Sequence, residues 1–279
     1  MTLRPAVARP APPRSWCSWS GAPHSGPNRR GATRNLAVVI NVSTADAVGL
    51  LELDRPDRRN ALDVAQCRRI VDAVGGLLAD GVRAIIVTGS GSSFCSGADF
   101  GEVYTDGFRD ALHAALRAVD EAPVPVVAAV NGPAIGAGTQ LAIACDLRIA
   151  APGAVFGVPT ARIGLAVDPW TVRRLARLGG GGTARAILVA CDTIGADLAH
   201  ARGLVDRLGD RAEALAWAAE MATLAPLTLR YNLLALDRAD LADDADELVA
   251  AFEACWSSDD RREGQAARLE KRPAVFHGR

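Results

Sequence analysis

The chain has 279 residues, 49% of them apolar, and a net charge of −1. That length and apolar content suit one domain of upper-middling size, or a core with a small helical appendage. The near-neutral charge excludes an electrostatic nucleic-acid partner, which needs clustered Lys or Arg, and no apolar run approaches the roughly 20 residues of a membrane span.

Residues 1–34 differ from everything after them. They are rich in Pro, Arg, Ser and Gly, and the first acidic residue of the chain is Asp46. No apolar stretch of the length a secretory signal needs follows the charges. The segment is expected to be a disordered tail or an extension from a start codon set too far upstream, with an organellar transit peptide as the alternative. Trp16 and Trp19 lie in it without periodicity.

From Leu36 the pattern changes. Leu36 to Val42 and Val48 to Leu53 read as two strands joined by a short turn. Asn60 to Leu78 carries apolar residues at helical spacing (Ala61, Val64, Cys67, Ile70, Val71, Val74) after Pro56. Ala84 to Thr88 reads as a short buried strand ending in a Gly/Ser turn, Phe108 to Val119 as a helix, and Val124 to Val130 as a second buried strand closed by Asn131-Gly132-Pro133. A helix is expected from Gly136 to Ala144 and a strand from Leu147 to Ala150. Strands alternating with helices imply βαβ units and a mostly parallel sheet, an α/β fold.

After Trp170 the strand signals fade. Thr171 to Leu178, Thr183 to Ala190, Ala196 to Ala201, Arg211 to Leu224, Leu227 to Asp237, Ala245 to Trp256 and Arg261 to Leu269 all read as helices, with Gly179 to Gly182 as an interhelical loop. A helical last third must bury its apolar faces against the core or against another subunit, so a homo-oligomer is expected. The expected organisation is a tail over 1–34, a core over 35–205 and a helical oligomerisation region over 206–279. The six cysteines are widely spaced and never form a C-x-x-C pair, which points to buried free thiols in a reducing cytoplasm and to no metal set.

Two stretches carry chemistry. Phe94-Cys95-Ser96-Gly97-Ala98-Asp99, and Asn131 to Gln140 with its small residues Gly136, Ala137 and Gly138, each put small side chains where backbone must approach a ligand. Together they read as an oxyanion hole. Reaction at the α or β carbon of an acyl thioester passes through an enolate, and preorganised backbone donors stabilise its oxygen by roughly 3–4 kcal/mol each.

Several motifs in order resemble the crotonase (enoyl-CoA hydratase/isomerase) superfamily. They are Leu53 to Leu62 with Asp54-Arg55-Pro56; Phe94 to Asp99; Asn131 to Gly138 followed by Cys145-Asp146; Phe156-Gly157-Val158-Pro159 with Gly164-Leu165; and Asp260 to Gly264 with Glu270-Lys271-Arg272-Pro273 and Phe276. The resemblance runs from about residue 47 to the end. It implies a ClpP-like spiral of ββα units with a helical trimerisation region, a trimer or hexamer, and a CoA thioester as ligand or substrate with no further cofactor. It implies that the thioester carbonyl lies between the N–H groups of Ala98 and Ala137. For CoA it implies Arg58, Arg59 and Ala61 near the nucleotide and the backbone of Ser96, Gly97 and Ala98 around the adenine, with Asp99 also in the CoA-binding set and Gly136 beside the thioester. Asp99 also reads as a structural turn residue. Gly101 stands where the family commonly has a lysine. Lys271, the single lysine of the chain, is the candidate for a neighbouring subunit's CoA phosphate. Phe100 and Trp170 are candidate walls of an acyl tunnel.

The chain departs from the family where hydratases carry two glutamates: those places are Gln140 and Thr160. An amide holds a water but cannot take its proton, and each lost acid/base group is worth ~10²–10⁴ in rate. Asp168 resembles the acidic proton-transfer position of the family's dienoyl-CoA isomerases, and Asp before Pro169-Trp170 is also an ordinary helix N-cap. The combination of Gln140, Pro159-Thr160 and Ala166-Val167-Asp168 with Trp170 more closely resembles mycobacterial-type members that lack the hydratase glutamates and handle long-chain acyl-CoA for cell-envelope lipid synthesis. The first expectation is therefore a cytoplasmic fatty-acyl-CoA binding protein or carrier that works with fatty-acid synthesis enzymes. The second is a hydratase or double-bond isomerase using Asp168. A third is a subunit that acts mainly through protein contacts.

Overall fold

The computed structural model describes residues 40–237 and 244–279. The tail, Trp16, Trp19, Cys17 and the start of the first expected strand lie outside the described residues. Strand β1 (Ile40–Ala45) pairs antiparallel with β2 (Val48–Leu53), with Asp46 in the left-handed region at the turn (φ 52). Next come β3 (Ala84–Gly89), β4 (Val126–Val130), β6 (Leu147–Ala150) and β9 (Arg207–Leu208). They extend the sheet in the order β1-β2-β3-β4-β6-β9, every pair after the first being parallel. A second sheet of β5 (Ala134–Ile135), β7 (Val155–Gly157) and β8 (Ile194–Gly195) runs in the order β5-β7-β8.

All six residues of β3 and all five of β4 are buried, as a parallel sheet covered on both faces requires. Side chains alternate between the faces. Leu51, Leu53, Ile85, Val87, Val126, Ala128 and Val130 face a core shared with helices α1 (Val64–Ala79), α2 (Asp106–Asp120) and α3 (Ala137–Ala144). Val48, Ala84, Ile86, Val127 and Ala129 face the other way, onto Ala214, Ala218 and Met221 of α6 (Arg211–Ala222). α6 therefore covers the sheet, and Val38–Arg279 is one compact unit.

α1 begins later than the apolar spacing suggests. Asp63 and Gln66 form a capping box, and Asn60 is left-handed (φ 57) with its side chain buried. The Asn60 amide accepts from Arg55 N–H (2.8 Å) and donates to the carbonyls of Ser90 (2.9 Å) and Ser93 (2.8 Å). It serves three loop groups that a helix would have left unpaired. The two helices expected on either side of Gly179–Gly182 form α4 (Pro169–Leu188), broken only at Gly180 (φ 80). α5 (Ala196–Ala201), α7 (Pro226–Asp237), α8 (Asp246–Ser257) and α9 (Asp259–Glu270) lie within about two residues of expectation. The short strands β5, β8 and β9 were not legible as strands, because two residues carry no period.

Among the described residues no helix is long and apolar enough to cross a membrane and no His/Cys/Asp/Glu cluster fits a metal ion. Cys67, Cys95, Cys145 and Cys191 are buried free thiols.

Candidate functional site

Parallel strands end with their loops at one edge, and the two small-residue turns follow β3 and β4 there. The Cys95 carbonyl accepts from Ile135 N–H (2.9 Å), and Cys95 N–H donates to the Pro133 carbonyl (3.1 Å). A Cβ on Gly97 would stand 3.0 Å from the Ile135 carbonyl oxygen. One on Gly138 would overlap the Cys95 carbonyl oxygen and lie 2.9 Å from its carbon. The glycines are required because backbone touches backbone. Thr139 pins the second turn from behind: its hydroxyl donates to the Ala134 carbonyl (2.6 Å) and accepts from Gly157 N–H (3.1 Å).

Ala98 sits in a one-residue parallel bridge with Leu62. Leu62 N–H donates to the Gly97 carbonyl (2.8 Å) and Asp99 N–H to the Leu62 carbonyl (2.7 Å). In extended chain successive groups alternate in direction, so the N–H of Ala98 points away from Leu62. Ala137 is the first residue of α3, after Gly136 (φ 55), and its N–H has no intrahelical acceptor. Two backbone donors with no acceptor among the described residues thus lie on touching stretches of chain, one of them at a helix N-terminus where the dipole favours negative charge. Burial pushes the Cys95 thiol beside them up to about 12, so it is not a nucleophile near neutral pH.

The structure brings Arg58, Arg59, Ala61 and Ser96 together. Ser96 N–H donates to the Arg59 carbonyl (3.0 Å), its hydroxyl to the Arg58 carbonyl (3.4 Å), and Ala61 N–H also to the Arg58 carbonyl (3.1 Å). Both arginines are exposed. Asp99 is held by Arg55 (3.6 Å) and by Gly101 N–H (3.0 Å), a turn-forming role. Phe100 is 76% exposed. Lys271 caps α9, whose C-terminal tail is tied to Arg83, before β3, through the Phe276 carbonyl (2.9 Å). Phe276 thus sits at the edge of the sheet opposite the two turns.

Gln140 and Asp168 are joined through a residue that the sequence reading passed over. Gln140 Nε2 donates to Thr171 Oγ1 (3.0 Å), and that hydroxyl donates to Asp168 Oδ2 (2.6 Å). Asp168 Oδ1 accepts from Thr171 N–H (3.0 Å), which makes Asp168 the N-cap of α4. Thr171 is three residues beyond the cap, a spacing that could have drawn attention to it. His113 Nε2 lies 3.7 Å from Asp168 Oδ2. Thr160 opens a short 3₁₀ turn (Thr160–Ile163) and makes no hydrogen bond to this chain of groups.

Asp168 and Trp170 also line a cavity of about 1080 Å³ between α2 and the helices α7 and α8. Its wall mixes apolar side chains such as Leu116, Leu227, Leu234 and Ala251 with charged ones such as Arg117, Glu121 and Arg230. Asp120 stands in the wall. Burial raises its carboxyl to about 6 against the pull of Arg174, which lies 3.7 Å away. Arg174, itself buried, reaches across to Asp237 at the end of α7 and donates to the Ile143 carbonyl (3.0 Å), tying the roof of the cavity to the core.

Known proteins share this frame. The family model described as enoyl-CoA hydratase/isomerase matches residues 43–279. The chain is 43% identical over 242 residues to "Probable enoyl-CoA hydratase echA6" of Mycobacterium tuberculosis, covering 86% of this chain and 100% of that one. It is 34% identical over 253 residues to crotonyl-CoA hydratase of Syntrophomonas wolfei, covering 85% and 97%. Among solved structures, an enoyl-CoA hydratase/carnithine racemase from Magnetospirillum magneticum superimposes with a TM-score of 0.80 at 30% identity, over 86% of this chain and 96% of that one. With the match running through both turns, the sheet and the last helix, the chain belongs to the enoyl-CoA hydratase/isomerase family.

Proposed function

We propose that the protein is a long-chain fatty-acyl-CoA binding member of this family that holds the thioester carbonyl between the N–H groups of Ala98 and Ala137 and does little or no chemistry on it. The observation that carries this reading is the pair of unclaimed donors on touching backbone, beside a glutamine whose amide is already engaged by Thr171. In this reading Gln140 and Thr160 occupy the places of the two hydratase glutamates, and neither residue accepts a proton from water near neutral pH. Arg58, Arg59, Ala61 and Ser96 to Ala98 hold the nucleotide end of CoA. The acyl chain runs past Trp170 toward the cavity under α7 and α8, whose volume lies at the upper end of ligand pockets.

The same reading gives the protein a cytoplasmic place in fatty-acid metabolism, as a homotrimer or hexamer that passes acyl-CoA to synthesis enzymes. Its support for oligomerisation is the apolar surface left on the last helices, including Trp256 and Leu269. Lys271 would then meet CoA only across a subunit boundary.

A second reading is favoured by the His113 contact and the cavity-facing place of Asp168: an isomerase or weak hydratase in which Asp168 moves the proton. The test is mass spectrometry and chromatography of trans-2-enoyl-CoA and dienoyl-CoA thioesters, short to long, after incubation with the protein. Thioesters that stay unchanged yet co-purify support the carrier. A gain of one water, or a new isomer, overturns it, and under the second reading Asp168→Asn then abolishes that turnover.

A further inference from the structure

Gln140 is 5% exposed, and its carboxamide offers an acceptor at one end and a donor at the other. Which end meets a ligand is decided by Thr171, which is fully buried. The Asp168 carboxylate only accepts, so the one hydroxyl proton of Thr171 goes to Oδ2 across 2.6 Å. What remains on Oγ1 is acceptor lone pairs alone, and these can pair only with the NH₂ end of Gln140, 3.0 Å away. The other carboxylate oxygen receives Thr171 N–H (3.0 Å), so Asp168 cannot swing away without uncapping α4. Every proton in the chain therefore points from Gln140 toward Asp168. Gln140 Oε1 has no partner among the described residues and is not sealed from solvent. It belongs to a residue one helical turn from Ala137.

We propose that Asp168 and Thr171 are positioning residues that fix Gln140 Oε1 as an acceptor facing the acyl chain, and that this selects 3-hydroxyacyl over 3-oxoacyl thioesters. The inference rests on the thioester reading above. A 3-hydroxyl donates to Oε1, whereas a 3-oxo group has only lone pairs and is repelled.

The relay can be turned around by one atom. In Asp168→Asn the side-chain oxygen still caps Thr171 N–H, but the amide now donates to Thr171 Oγ1. The hydroxyl proton then turns to Gln140, whose NH₂ end faces the ligand. The experiment is calorimetric titration of the full chain with hexadecanoyl-CoA, 3-hydroxyhexadecanoyl-CoA and 3-oxohexadecanoyl-CoA. Wild type is expected to bind the 3-hydroxy ligand about tenfold tighter than the 3-oxo ligand. Asp168→Asn is expected to abolish or invert that ratio. Thr171→Val should flatten it and Thr171→Ser should retain it, and these two carry the test if the Asn variant does not fold. A purely structural cap would change the affinities together and leave the ratio alone. A ratio near one in wild type, or the same ratio in Asp168→Asn, overturns the proposal while hexadecanoyl-CoA binding keeps the thioester reading. If none of the three ligands binds wild type, the thioester reading itself falls.

Discussion

The paired turns and the cavity under the C-terminal helices are built on opposite principles. At the turns backbone rests on backbone: Gly97 against Ile135 and Gly138 against Cys95, with Thr139 bracing from behind. At the cavity, side chains span a gap, and Arg174 joins its roof to the core through Asp237. The first arrangement has almost no freedom. The second depends on a few ion pairs and a wall of mixed apolar and charged side chains. A thioester carbonyl is the same in every acyl-CoA and suits a rigid cradle, while acyl chains differ in length and suit an adjustable space.

The sharpest way to break the contrast is Gly138→Ala. The methyl group meets the Cys95 carbonyl, which backbone cannot yield, so a loss of about 3 kcal/mol or more is expected in thermal or urea unfolding, together with loss of acyl-CoA binding. Gly182→Ala, inside α4 where an added methyl meets nothing within 4 Å, supplies the control and should be neutral or stabilising by up to about 1 kcal/mol through helix propensity. Arg174→Leu strikes the other region. It leaves Asp120 and Asp237 without their buried cation and is expected to cost roughly 3 kcal/mol, with α7 the first segment to lose hydrogen-exchange protection.

Chemistry gives a second axis. Gln140→Glu combined with Thr160→Glu should raise crotonyl-CoA hydration from a near-zero baseline by ~10²-fold or more. No gain while acyl-CoA still binds would show that these two residues do not stand at the hydratase positions. The smallest effect concerns pH. Burial raises the Asp146 carboxyl, which accepts from Val126 N–H (2.7 Å), to about 7. A folded pKa above the unfolded one means that the folded state binds more protons. Its contribution is full below the unfolded carboxylate range and is lost as pH rises to about 7. Asp146→Asn should flatten the unfolding midpoint against pH over that window, and an unchanged slope would assign the dependence elsewhere.

Much of the fold was readable because periods are long enough to see. Cys67, Ile70 and Val74 repeat at helical spacing, β3 opens on four successive apolar residues and β4 is apolar throughout. The start of α1 was misread because Ala61 happens to fit the helical stripe, while Asn60 is drawn out of it by three loop hydrogen bonds. At the candidate site the small residues at 97, 98 and 136–138 were visible as a pattern. That Asp99 serves Arg55, that Phe100 faces solvent and that the tail after Lys271 ties to Arg83 were not, because each depends on where a distant segment lands.

Composition and local pattern by themselves determined an α/β chain with a parallel sheet, two backbone-exposing turns and a helical last third, since these follow from residue size, backbone freedom and hydrophobic period. Only tertiary structure decided that Gln140 reaches Asp168 through Thr171, and that Asp168 both caps α4 and lines the cavity. The reason is physical. A hydrogen bond is set by a fraction of an ångström between groups on different elements, and no local sequence period encodes that distance.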